Sequence, residues 1–220
     1  MWLWLALIFA ALTALAIGKG LRPLEIVAKP AVMVALMVHL WMAGGVQGAL
    51  LWFVLGQALS LAGDVFLLWP DRWFLAGLAA FLLTQIAYVI GFNLSPSPLS
   101  WWGLVLALIV GYGSARILRR LLSALRQKGQ NALRWPVTLY GVAIALMLLS
   151  ALLKLSDAGW GEESSLLVAG GAFLFFLSDL VLAWDRFVEP IRHGRLLNIV
   201  LYHLGQIGIA AGVVIQFAGG

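Results

Sequence analysis

Ser60-Leu61-Ala62-Gly63-Asp64-Val65-Phe66-Leu67-Leu68-Trp69-Pro70-Asp71-Arg72-Trp73 sets one carboxylate inside an apolar run, then a Trp, Asp-Arg and another aromatic. Phe176-Leu177-Ser178-Asp179-Leu180-Val181-Leu182-Ala183-Trp184-Asp185-Arg186-Phe187 repeats the pattern later in the chain. Only nine Asp and Glu residues occur in 220, and two of them fall where lipid or protein interior is expected. A carboxylate at membrane depth costs from ~2.5 kcal/mol upward, so an intramembrane ionisable residue is a site hypothesis by default. Asp64 and Asp179 in matching contexts are therefore the first candidate catalytic pair.

The surrounding composition fixes the class. The chain is 63% hydrophobic and 10% charged, with mean hydropathy +1.02. A soluble domain carries roughly 25% charged residues. The expected fold is an all-α integral membrane protein of eight transmembrane helices, one polytopic domain over 1–220. The spans read as 1–18, 26–43, 47–69, 73–92, 101–115, 135–153, 164–184 and 196–217, each near the ~20 residues a bilayer requires. Gly44-Gly45 ends the second span, and Pro30 is expected in its first turn, where it costs no hydrogen bond. The first span has no basic residues before it and Lys19 and Arg22 after it, which reads as a retained helix and not a signal peptide. The matching motifs lie on spans three and seven, so the halves 1–98 and 99–220 are expected to be parallel repeats. The chain has no Cys, which excludes disulfides, a thiol nucleophile and Cys-based metal sites.

Charge sets the expected orientation. Lys19, Arg22, Arg72, Arg116, Arg119, Arg120, Arg126, Lys128, Arg134, Arg186, Arg192 and Arg195 all fall in loops on one side, and the other side holds only Lys154. The positive-inside rule makes the first side cytoplasmic and puts both termini outside. The +5 net charge therefore speaks to topology, and no nucleic-acid partner is expected. The stretch 118–128 alternates Leu with Arg and Lys, which suits an amphipathic surface on anionic headgroups or a simple topology signal. Trp41, Trp69, Trp73, Trp101, Trp102, Trp135 and Trp184 sit at span ends as interfacial anchors.

Asp64 and Asp179 each precede a terminal Trp by five residues, so both lie about 7–8 Å inside the cytoplasmic boundary at 1.5 Å per residue. Lys29, Tyr140, Asn198 and His203 fall in the same layer. Ser60 is one turn from Asp64 and shares its face, and Ser178 adjoins Asp179. Gln85 and Tyr88 lie deeper. The alternative reading makes both aspartates structural, paired with Lys29 or a tyrosine to fix helix register. Asp71-Arg72 and Asp185-Arg186 read as turn residues with local ion pairs, their arginines available to a phosphate headgroup. His203 reads as a hydrogen-bonded interior histidine. His39, His193 and His203 fall at three depths, a poor zinc site. Gly63, Gly170 and Gly171 read as points of close helix contact.

Ala28-Lys29-Pro30, Leu59-Ser60-Leu61-Ala62-Gly63-Asp64, Gln85-Ile86-Ala87-Tyr88, Tyr140 and the segment 176–183 together resemble the YhhN family over nearly the whole chain. That family includes the lysoplasmalogenases, multi-pass enzymes that hydrolyse the vinyl-ether bond of lysoplasmalogens to a fatty aldehyde and glycerophospho-ethanolamine or -choline. The resemblance implies a lysophospholipid substrate, membrane lipid surroundings and no metal or organic cofactor. It implies Asp64 and Asp179 as the catalytic pair, with Lys29, Ser60, Tyr140, Ser178, Asn198 and His203 in support. Arg72 and Arg186 would hold the headgroup. Members often carry His where this chain has Gln85, so Gln85 is given no proton-transfer role. A vinyl ether must be protonated at its β-carbon, giving an oxocarbenium ion that water then captures. One carboxylic acid and one carboxylate suit this, as in two-carboxylate glycosidases. A proton-coupled lipid or small-molecule transporter using the same aspartates is the main alternative, followed by a zinc amidase and a non-catalytic scaffold.

Overall fold

The computed structural model describes residues 1–44, 47–98 and 100–218. Eight helices are long and apolar enough to cross a membrane: α1 (Trp2–Lys19), α2 (Arg22–Met42), α3 (Gly48–Phe66), α4 (Pro70–Asn93), α5 (Trp101–Gln127), α6 (Arg134–Leu153), α7 (Glu162–Ala183) and α8 (Gly194–Ala218). No strand occurs among the described residues. The chain is an integral multi-pass membrane protein. Gly45 of the expected Gly44-Gly45 stop lies outside the described residues.

Local chemistry sets the helix ends. Gly20, at φ 69°, closes α1 in the left-handed conformation that glycine adopts without strain. The Ser100 side chain accepts from the Gly103 N–H at 3.0 Å and caps α5. Pro70-Asp71-Arg72 is a single helical turn that opens α4, set off from the rest of the helix by a kink at Trp73 (φ −119°, ψ 16°), and the missing N–H of Pro70 has no helical partner to lose there. Two further expectations about α2 are corrected. The helix begins at Arg22, so Lys29 lies in its second turn and Pro30 is inside the helix. An internal proline removes the bond to the carbonyl four residues back.

The most extensive helix contacts join α7 to α8 and α3 to α4, followed by α1 to α2. A Cβ at Gly171 would lie 2.6 Å from the backbone nitrogen of Ile209, so α7 and α8 meet backbone to backbone there. Gly63 instead makes room for the ring of Phe81 on α4. Gly170, expected to share this duty, faces open space. Trp41, Trp69, Trp101, Trp102 and Trp135 are exposed at helix ends, as interfacial anchors are.

Contacts tie the connections together at each end. At the basic end Arg22 donates to the Leu68 carbonyl, Arg195 bridges to Glu25, and Lys128 donates to the Val188 carbonyl. At the other end Lys154 is buried and donates to the Ser95 carbonyl, Ser97 Oγ and Asp157 at 3.0, 2.9 and 3.1 Å. Burial raises the Asp157 carboxyl, but hydrogen bonds from Ser97, Gly159 and Lys154 outweigh it and hold the group below its ordinary value.

The stretch 118–128 continues α5 without a break. Its leucines turn toward protein. Leu121 and Leu125 are buried with Val137 and Phe187 in a small cluster of their own. Arg119, Arg120 and Arg126 remain exposed. Amphipathic spacing marks an apolar face without naming its partner, and here the partner is protein.

Candidate active site

Asp64 is held by two side chains. It sits near the end of α3 at 1% exposure. Lys29 Nζ from α2 lies 3.2 Å from its Oδ1, and the Tyr202 hydroxyl from α8 donates to its Oδ2 at 3.0 Å. The Tyr202 ring is fixed edge-on by Phe81 and Phe175. The buried ion pair takes this carboxyl group out of solvent with its counter-charge already attached.

Asp179 is held differently. The Tyr140 hydroxyl of α6 donates to its Oδ2 in a short hydrogen bond, and Ser178 Oγ lies 3.3 Å from its Oδ1. No Lys, Arg or His pairs with it among the described residues. Asn198 donates to the Ser178 carbonyl at 2.8 Å, bracing this turn of α7 from α8. Asn198 and Tyr202 are one turn apart on α8, so one face of that helix serves both aspartates. The two carboxyl groups do not bond to each other; each is held by its own tyrosine.

A groove leads to Asp179. It is a narrow cavity of about 90 Å³ among walls from α4, α5, α6 and α7. Leu78, Phe81, Leu118, Ile144 and Phe176 make it apolar, while Tyr140, Asp179 and Arg186 bring polar groups to it. Leu67, Phe74, Leu182 and Arg186 also border a second, more polar chamber of about 240 Å³. Glu25, Lys29, Asp185, Arg195 and Asn198 line that chamber.

The remaining candidates divide. Arg186 lies 3.9 Å over the Phe74 ring, at the wall shared by groove and chamber. Arg72 stacks on Trp73 at 5.1 Å and lines a neighbouring cleft with Arg22 and Arg195. The expected Asp71–Arg72 and Asp185–Arg186 ion pairs do not form; aromatic rings take the arginines, and Asp185 accepts from the Ile191 N–H. Ser60 does not touch Asp64. It donates to Thr84 and accepts from Gln206, within a buried network that also holds Gln57 and Tyr88. His203 is buried but not hydrogen-bonded as expected: neither ring nitrogen has a partner among the described residues. No three His, Asp or Glu side chains converge as a metal site among the described residues.

Sequence reasoning passed over Tyr202 and Glu25. Tyr202 was legible as the residue one turn beyond Asn198. Glu25, buried and bridged to Arg22 at 3.1 Å and to Arg195, gave no signal beyond its place near a basic loop.

Fold and site together define a multi-pass membrane protein with two carboxyl groups among its apolar helices, one of them on an apolar groove. The YhhN family pattern matches residues 24–213, and the chain belongs to that family. It is 36% identical over 149 residues to Lysoplasmalogenase TMEM86B of Homo sapiens, covering 67% of this chain and 57% of that protein. It is 34% identical over 174 residues to Lysoplasmalogenase TMEM86B of Sus scrofa, covering 76% and 62%. It is 32% identical over 162 residues to Lysoplasmalogenase TMEM86A of Homo sapiens, covering 72% and 63%. The chain thus matches 57 to 63% of the length of these relatives. No solved structure matches it.

Proposed function

We propose that this chain is a membrane hydrolase that cleaves the vinyl-ether bond of a lysoplasmalogen. One observation carries the reading: Asp179, partnered among the described residues by hydroxyl groups alone, lines an apolar groove with Arg186 at its polar wall. The names of the relatives point to the same reaction.

The two aspartates take different roles. A carboxyl group paired with an ammonium is the carboxylate, whereas one held by hydroxyls is able to carry a proton. Asp179 is the proton donor. It protonates the β-carbon of the vinyl ether, and positive charge develops on the adjacent carbon and ether oxygen. Asp64, fixed as a carboxylate by Lys29, supplies negative potential from behind the groove. Such preorganised charge acts strongly where water is excluded. Water adds to the oxocarbenium carbon and returns a proton to Asp179. The hemiacetal then collapses to the aldehyde and the glycerol hydroxyl. Arg186, with Lys29 and Arg195 in the chamber, attracts the phosphate. Arg72 offers a second cationic contact at the rim.

The basic end is cytoplasmic in this reading, by the positive-inside rule, and both termini lie on the other side. A reporter fused at the C-terminus tests this; a cytoplasmic signal overturns it. The reaction is tested by aldehyde release from a lysoplasmalogen in mixed micelles by the purified protein. Absence of release overturns the hydrolase reading. One observation favours proton-coupled transport as the second reading: the hydrogen-bonded chain Ser60–Gln206–Gln57, with Tyr88, continues inward past Asp64. Proton uptake in proteoliposomes without aldehyde release would establish that reading instead.

A further inference from the structure

Gln85 stands unexplained by the roles above. It is on α4 and fully buried, and neither its Oε1 nor its Nε2 has a hydrogen-bond partner among the described residues. Its carboxamide lies beside the Tyr140 hydroxyl without completing a bond to it. That hydroxyl has already committed its proton to Asp179. Phe81, one turn earlier on the same face of α4, lines the groove. Gln85 therefore lies one helical turn behind the groove wall, on the side of the Tyr140–Asp179 pair. A buried amide that makes no bond is costly to keep, and an apolar residue of the same shape would avoid that cost. Buried groups that break this rule concentrate at functional sites.

We propose that Gln85 is a positioning residue that holds the attacking water. The inference rests on the hydrolase reading and concerns its second step. After Asp179 has given its proton to the β-carbon, a water molecule donates one hydrogen to Gln85 Oε1 and the other to Asp179. Its lone pair then faces the oxocarbenium carbon. The new C–O bond forms as the second proton passes to Asp179, which is restored. The hemiacetal hydroxyl gives up its proton as the bond to the glycerol oxygen breaks, and that oxygen is protonated through Asp179. Gln85 Nε2 meanwhile steadies the Tyr140 oxygen from the side away from Asp179.

The test uses Gln85→Met in the full chain, purified in detergent. Removing an unpartnered amide from the interior is expected to raise Tm, while kcat falls about tenfold and KM stays within about twofold. In water–methanol mixtures the parent is expected to yield aldehyde in excess of the solvent ratio. The variant is expected to divert product to the mixed methyl acetal, approaching that ratio, because no residue then selects water. Should Gln85→Met not fold, Gln85→Asn, whose shorter amide cannot span the site, carries the same partition measurement. An unchanged kcat overturns the proposal. So does a fall in Tm with an unchanged methanol partition, which would make Gln85 structural. A parent that releases no aldehyde overturns the hydrolase reading and this inference with it; an active parent with an unaltered variant overturns this inference alone.

Discussion

Asp64 and Asp179 follow nearly the same sequence pattern and end in opposite surroundings. Asp64 is closed in by Lys29 and Tyr202, away from either cavity. Asp179 has only Tyr140 and Ser178 and faces a groove. The contrast teaches that a motif specifies a carboxylate at a depth, while the neighbouring helix decides what that carboxylate is for. For Asp64 the neighbour is α2, which brings an ammonium. For Asp179 the neighbour is α6, which brings a phenol.

The largest expected effect separates the two. Asp179→Asn removes the proposed proton donor but leaves an isosteric group that Tyr140 and Ser178 still bond. Aldehyde release is expected to fall at least about 100-fold, the lower range for losing a general acid, with Tm nearly unchanged. Asp64→Asn should do the reverse in proportion. It strands Lys29 in the interior, and breaking one side of a buried pair costs about 3–5 kcal/mol. Thermal unfolding should show the loss. Replacing both partners, Lys29→Met with Asp64→Leu, should recover most of the stability, because an apolar pair needs no counter-charge. If Asp64→Asn is as stable as the parent, the ion pair does not have the part assigned to it.

Smaller effects sharpen the contrast. Tyr140→Phe deletes a hydrogen bond to Asp179 alone and is expected to slow release about 10- to 100-fold. Tyr202→Phe is expected to cost less, because Lys29 still holds Asp64; kcat measured for both variants orders them. Arg186→Ala should raise KM with little change in kcat, as for lost uniform binding. The smallest effect lies at the other end of the molecule. Asp157 is held below its ordinary value of 3.8, so its stabilisation is complete above that value and is lost as pH falls through the lower, folded-state one. Asp157→Asn should flatten the acid limb of a Tm–pH curve and leave release at neutral pH unchanged.

Much of this was legible in the sequence. The eight spans follow from apolar runs and charged loops, because the bilayer demands both. Asp64, Asp179, Lys29 and Tyr140 stood out because an ionisable or phenolic group in an apolar run has few reasons to be there. What hid was rotation about helix axes. Ser60 shares the face of Asp64 but bonds to Thr84 and Gln206, and Tyr202, not His203, reaches Asp64. Adjacent residues on α8 point about 100° apart, and sequence gives no reference direction for that angle. The leucines of 118–128 showed the same limit, since lipid and protein are equally apolar partners. Pro70 was misread because proline opens helices as readily as turns.

The account stands most directly on aldehyde release by the parent and by Asp179→Asn, measured side by side on a lysoplasmalogen in mixed micelles, with Tm taken on the same samples. The expected result is release by the parent and a loss of at least about 100-fold in a variant that melts at the parent's temperature. Release at the parent's rate by Asp179→Asn, or none from the parent, would contradict it.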